Sequence, residues 1–234
     1  MWFVNKYQFI FFDLDRTLWD FEANACETLK ELFDKYELYK FAENPKEFIN
    51  AYAIHNNRLW AEYTKGNLRK EQLRKLRFYL TLKQLGIDDR DLGAQMDVDY
   101  LALCPQKTTL FPYTKEILNY LISKKYKLYI LTNGFAEVQD LKLKNSGIHK
   151  YFDAVISSEK VGYQKPDARI FQYALSLAKV PAKKCIMVGD DWEADILGAK
   201  DAGIDQIFFN PQKNEHKVRP TYEISLLKEI ETIL

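Results

Sequence analysis

Two aspartates, Asp13 and Asp15, close the apolar run Phe9-Ile10-Phe11-Phe12, and Thr17 follows them. Alternate side chains of an extended strand share a side, so both carboxylates can converge on one small volume where the chain leaves the core. Such a pair can divide the work of phosphoryl transfer. Asp13 would attack phosphorus as an oxygen nucleophile, while Asp15 would protonate the departing alkoxide and then activate water against the phospho-enzyme. A hard cation such as Mg²⁺ would offset their repulsion, held by the Asp13 side chain, the main chain of Asp15, and Asp190. Charge gathering on the phosphoryl oxygens needs donors and a fixed cation, and Thr132, Asn133 and Lys165 are the candidates. The D-x-D-x-T pattern alone is short. Its weight comes from Thr132-Asn133-Gly134, Lys165-Pro166 and Gly189-Asp190-Asp191, which follow further apolar runs in order.

Those residues must be carried by strands. Short apolar or β-branched runs at 8–12, 128–131, 155–157, 186–188 and 207–209 alternate, after the first, with helical stripes at 117–122, 138–144, 170–177 and 196–202. Alternation of this kind predicts a mostly parallel sheet with helices on both faces, whose ligands sit beyond the carboxyl ends of the strands. Between the first strand and the rest, helical periodicity takes over. Ala25, Leu29, Leu32, Phe33 and Tyr36 form one stripe, and Phe48, Tyr52, His55, Leu59 and Tyr63 a second. A third segment carries Leu73, Leu76 and Leu80 and ends at Gly86, before the acidic run Asp88, Asp89 and Asp91. The economical reading is a helical bundle at 19–105 inserted into an α/β core made of 1–18 and 106–234.

The chain has 234 residues, 47% hydrophobic and 29% charged, with 34 Lys plus Arg against 33 Asp plus Glu. That balance gives no electrostatic case for a nucleic acid polymer as partner. Cys26, Cys104 and Cys185 lie far apart without a C-x-x-C spacing, which fits free thiols in a reducing compartment and argues against zinc. No cleavable apolar leader opens the sequence, and no run approaches the roughly 18 apolar residues of a membrane span. A cytoplasmic protein is expected, a monomer or homodimer acting on a small phosphorylated metabolite.

The set Asp13-Leu14-Asp15-Arg16-Thr17, Thr132-Asn133-Gly134, Lys165-Pro166 and Gly189-Asp190-Asp191 through Asp195 resembles the four motifs of the haloacid dehalogenase-like hydrolase superfamily. The resemblance covers essentially the whole chain. It implies an α/β fold with a Rossmann-like core and a helical cap, Mg²⁺ dependence and an aspartyl-phosphate on Asp13. It also implies Asp190 as a direct metal ligand, with Asp191 and Asp195 behind it. Dehalogenases of the superfamily lack the second acid, and its sugar phosphomutases usually carry Gly-Val where this chain has Arg16-Thr17, so Asp15 favours a phosphatase. Leu59-Trp60-Ala61-Glu62-Tyr63, Thr132-Asn133-Gly134-Phe135 and the run from Ile156 to Gly162 are further similar to bacterial pyrimidine 5′-nucleotidases. That likeness implies a nucleoside monophosphate as substrate, with sugar phosphates as the alternative.

Single residues carry blander readings as well. Lys165 alone reads equally as a surface lysine before a turn-forming proline, and Asp195 as an exposed helix position or a partner of Lys200. Trp19 and Phe21 could stack on a base or pin a hinge; Trp60 and Tyr63 could do the same or fill the bundle core. His55 reads as packing. A phospho-accepting receiver domain uses the same residue types, but its acceptor lies on a middle strand and it has no helical insert. A protein that binds without turnover is the third class. Turnover number separates the three.

Overall fold

The computed structural model describes residues 6–234. The chain divides into two compact units, one formed by residues up to Phe21 together with Thr108–Leu234 and the other by Glu22–Lys107.

Among the described residues, the first unit is built on six parallel strands: β1 (Phe9–Phe12), β2 (Lys127–Thr132), β3 (Ala154–Ser157), β4 (Cys185–Gly189), β5 (Asp205–Phe209) and β6 (Tyr222–Ile224), in the order β3-β2-β1-β4-β5-β6. The second unit holds most of α1 (Phe21–Lys35), with α2 (Pro45–Thr64), α3 (Lys70–Gln84) and α4 (Arg90–Leu103). The helices that alternate with the later strands of the first unit are α5 (Thr114–Ser123), α6 (Ala136–Asn145), α7 (Ser158–Val161), α8 (Ala168–Ala178) and α9 (Gly198–Asp201).

Both faces of the sheet are covered, so the central strands are apolar throughout rather than alternating. In β1, Ile10, Phe11 and Phe12 are all fully buried. Phe11 belongs to a core cluster with Met187 of β4, Ile170, Phe171 and Ala174 of α8 and Ala199 of α9. Phe12 points to the opposite face by the pleat and meets the edge of Phe152. Register pairs Phe12 with Ile130 on one side and Val188 on the other, so β2 ends two residues and β4 one residue beyond the end of β1. Strand order reverses at β1, which is where a doubly wound sheet opens a crevice.

Strands β1 to β5 fall where the apolar runs place them. β6 lies outside those runs: Tyr-Glu-Ile is three residues long with a charge at its centre, too short for a period to register. The stripe at 196–202 is divided into a π-helical turn (Trp192–Leu197) and α9.

Sequence chemistry sets the helix starts of the second unit. Asn44 accepts from the Glu47 N–H at the head of α2, where Pro45 supplies a preset φ, and Asp89 accepts from the Leu92 N–H at the head of α4. The acidic run is therefore a cap, with Asp88 accepting from the Tyr79 hydroxyl at 2.9 Å. The inward face of α3 is rotated from the expected one. Leu76 and Leu80 are half-buried, whereas Arg77 is buried with Leu73, Phe78 and Leu82. Arg77 Nε donates to Asp97 of α4 at 2.6 Å, and Arg74 Nε donates to the other oxygen at 3.0 Å. A charge in the core position defeats a purely apolar template. His55 is half-buried with its ring bonded to Gln84, while its neighbour Asn56 takes the buried position.

Helices α3 and α4 approach closely at Gly93, where a Cβ would stand 2.8 Å from the main-chain nitrogen of Tyr79 and 2.9 Å from its Cα. Backbone cannot swing aside as a side chain does. Gly93→Ala should therefore destabilise the protein by about 1–3 kcal/mol, read as a lowered denaturation midpoint. An unchanged midpoint would show that the two helices separate without cost.

Candidate active site

A tight turn after β1 presents the first two acids. The N–H groups of Leu18 and Trp19 both donate to the Leu14 carbonyl, and Arg16 N–H donates to Trp19 O, with Arg16 at a φ of 65°. Asp13 and Asp15 flank Leu14, which is fully buried and anchors the turn. Thr132 is the last residue of β2, Asp190 follows β4, Lys165 lies between α7 and α8, and Asp195 sits on the π-helical turn.

These elements bring Asp13, Asp190 and Asp195 together, each offering an oxygen within 4.8 Å of the others. Lys165 is only 2% exposed, which removes the surface reading. Its ammonium donates to Asp13 Oδ1 at 2.7 Å, Asp195 Oδ1 at 2.6 Å and the Leu131 carbonyl at 2.8 Å, using all three protons. Asp195, 1% exposed, accepts the Asp191 N–H on its other oxygen at 3.1 Å, so it is neither exposed nor a partner of Lys200. Both of its oxygens accept hydrogen bonds while it lies in the same cluster as Asp13 and Asp190. Gly189 permits this, because a Cβ there would lie 2.3 Å from Asp195 Oδ2. Asp191 caps the turn, accepting from the N–H groups of Glu193 and Ala194.

The cluster is short of positive charge. Burial raises the pKa of Asp13, which Lys165 draws partly back. Burial, then the charges of Asp13 and Asp195, hold Asp190 well above the carboxylate range, and burial pushes Asp195 up to about 7 against the pull of Lys165. Burial works against the Lys165 ammonium too, yet Asp13 and Asp195 outweigh it and raise its pKa. Three crowded carboxylates and one cation form a hard-oxygen donor set that a divalent ion such as Mg²⁺ fits, and a thiophilic metal does not. Thr17 Oγ1 donates to Asp190 Oδ1 at 3.1 Å and orients it.

The remaining residues group around Asp15 and Thr132. Thr132 Oγ1 accepts from Gln139 Nε2 at 2.7 Å and from the Gly134 N–H at 3.0 Å. With both lone pairs engaged, its own proton is left to donate to an anion. The Asn133 side chain instead grips Lys165, accepting its N–H at 2.8 Å and donating to its carbonyl at 2.9 Å. That grip fixes the lysine main chain and leaves the second Nδ2 proton of Asn133 available as a donor. Asp15 lies outside the carboxylate cluster by its side chain, bonded to Lys142 and Gln139 of α6. Sequence reasoning singles out neither α6 residue. The helical stripe expected at 138–144 buries Leu143 together with Gln139 and Lys142, while Leu141 is 46% exposed. A polar pair three residues apart on an otherwise weakly patterned helix is the available signal.

Trp19 is fully buried, with Lys142 Nζ 4.1 Å from its ring centre and Phe21 edge-on to it. Phe21 carries the Arg16 guanidinium at 4.5 Å. In this arrangement Trp19 pins the turn. Trp60 and Tyr63 are half-buried on α2 and packed edge to face at 5.4 Å.

Comparison with known proteins agrees with this geometry. A family model for haloacid dehalogenase-like hydrolases matches residues 7–203. A pyrimidine 5′-nucleotidase of Escherichia coli is 33% identical over 98% of both chains, and one of Streptococcus pneumoniae is 34% identical over 93% of this chain and 91% of its own. Among solved structures, a HAD-hydrolase from Bacillus subtilis bound to magnesium superposes with a TM-score of 0.87 at 28% identity, over 98% of this chain and 99% of that one. No helix among the described residues is long and apolar enough to cross a membrane.

Proposed function

The chain belongs to the haloacid dehalogenase-like hydrolases, and on that premise we propose that it hydrolyses nucleoside 5′-monophosphates through an aspartyl-phosphate on Asp13. The observation that carries the chemistry is the buried Lys165 ammonium against Asp13, with a second acid, Asp15, two residues on. Hydrolysis of a carbon–halogen bond has no use for a proton donor, since halide leaves as an anion; an alkoxide does need one. Full-length similarity to two pyrimidine 5′-nucleotidases supports the nucleotide.

In this reading Asp13, held by Lys165, attacks phosphorus, the Thr132 hydroxyl donates to a phosphoryl oxygen as it gains charge while the Lys165 ammonium adds positive charge beside it, and Asp15 protonates the leaving 5′-oxygen. Water then displaces Asp13 from phosphorus, and Asp15 accepts its proton. A divalent cation bound by Asp13 and Asp190, with Asp195 beside them, would screen the nucleophile and draw charge from the phosphate. The test is phosphate release from nucleoside monophosphates and sugar phosphates, with and without chelation. Pyrimidine nucleotide turnover that stops on chelation and returns with Mg²⁺ supports the reading; turnover of sugar phosphates alone discards the nucleotide, and none anywhere discards the enzyme.

Asp15→Asn should lower kcat by roughly 10² to 10⁴, the scale of a lost general acid–base. Wild-type kcat in that variant would remove Asp15 from the chemistry. We assign substrate contact in the helical unit to Trp60 and Tyr63, whose rings could stack on a base. Truncation of Trp60 to alanine should raise KM for nucleotides by about tenfold, the worth of one stacked base, and an unaltered KM would assign the pair to packing.

A further inference from the structure

We propose that Gln139 and Lys142 are positioning residues that aim the Asp15 carboxylate at the water of the second step. The inference rests on the phosphatase reading and deepens it. Asp15 Oδ1 accepts from Lys142 Nζ at 2.5 Å, and Oδ2 accepts from Gln139 Nε2 at 2.8 Å. Both partners are donors, and each fixes one oxygen of Asp15.

Each partner is itself fixed. Gln139 is fully buried, and its Nε2 also donates to Thr132 Oγ1. Turning the amide over would set Oε1 against the Asp15 carboxylate. In the orientation present, Oε1 is buried with no hydrogen-bond partner among the described residues, a costly state for a core amide. The side chain leaves its own acceptor unsatisfied while serving Asp15 and Thr132. Gly134 keeps room for it, since a Cβ there would lie 2.3 Å from Gln139 Nε2. Lys142 is 5% exposed, with its ammonium over the rings of Trp19 at 4.1 Å and Phe21 at 5.7 Å. Aromatic faces stabilise a cation without competing as a formal counter-ion, which leaves its ion pair to Asp15.

After transfer of the phosphoryl group to Asp13, the oxygen of water bonds to phosphorus as the phosphorus–Asp13 bond breaks. The water's proton passes to Asp15, Asp13 recovers its carboxylate, and phosphate leaves. Gln139 and Lys142 aim Asp15 at that step.

The test is rapid-mixing kinetics of Lys142→Met and Gln139→Leu with p-nitrophenyl phosphate and Mg²⁺. A slowed second step should lower kcat by about 10- to 100-fold, the scale of a misplaced catalytic group. KM should fall in parallel, kcat/KM should be nearly unchanged, and a burst of nitrophenolate stoichiometric with enzyme should precede the steady state. Lys142→Arg, which keeps a cationic donor, should recover most of kcat. Loss of kcat/KM in step with kcat and without a burst overturns the proposal, as do unchanged kinetics. Gln139→Leu leaves the Lys142–Asp15 ion pair in place and carries the test where Lys142→Met does not fold. Wild-type protein that releases nothing from any phosphate ester overturns the phosphatase reading itself, before any variant is compared.

Discussion

Asp13→Asn is expected to abolish phosphate release, by roughly 10⁴-fold or more, the scale of removing the nucleophile from a hydrolase. An amide cannot form the acyl phosphate, so nothing accepts the phosphoryl group. Loss of activity would mean little if the variant unfolded, and here the site's electrostatics make a separate prediction. Burial raises the pKa of Asp13, and its charge helps to hold Asp190 well above the carboxylate range. A neutral isostere keeps an acceptor for Lys165 while removing one of the crowded charges. Metal-free Asp13→Asn should therefore melt no lower than metal-free wild type. The decisive pair of measurements is phosphate release with Mg²⁺ and a thermal melt without it. Near wild-type turnover would take Asp13 out of the mechanism; a collapsed melting temperature would mean that the carboxylate is a structural partner of Lys165 first.

The residues behind these predictions differ in how far sequence alone reveals them. Asp13, Thr132 and Asp190 are legible because each terminates an apolar run, and in a parallel sheet strand ends converge on one side. β1 to β5 are legible for the same reason, since burial on both faces leaves uninterrupted apolar runs. Lys165 is ambiguous in isolation: its partners, Asp13 and Asp195, are 152 and 30 residues away, and no local pattern encodes them. Gln139, Lys142 and Arg77 are harder still. Each is a polar residue at a buried helical position, and periodicity arguments assign such positions to apolar side chains. What buries them is a carboxylate on a different element, Asp15 for the first two and Asp97 for the third. The sequence patterns therefore outline the sheet and the acids, and fall short where the core itself is charged.

Lys165→Met probes that charged core directly. Methionine matches the length of the lysine stem but offers no donor, so Asp13 Oδ1, Asp195 Oδ1 and the Leu131 carbonyl would all lose their partner at once. Breaking a buried ion pair from one side costs about 3–5 kcal/mol, because the remaining charge is left in a low-dielectric site. Activity should fall by about 10²-fold, the scale of a misplaced reacting group, because Asp13 loses the cation that holds it for attack. The stability loss should depend on pH in a definite direction. Asp195 is raised to about 7 in the folded wild type, above its ordinary value near 3.8, so the folded state binds more protons than the unfolded state between them. Its stabilising contribution is present below the unfolded pKa and is lost as pH rises through the folded one. Without Lys165 the folded pKa values of Asp13 and Asp195 rise further, and a protonated carboxyl does not need the ammonium. The melting-temperature gap between metal-free Lys165→Met and metal-free wild type should thus be wide at pH 8 and narrow at pH 5. A gap that is equal at both would place the cost in lost packing of the lysine stem, and would remove the buried charge pair as the element that holds Asp13 for attack.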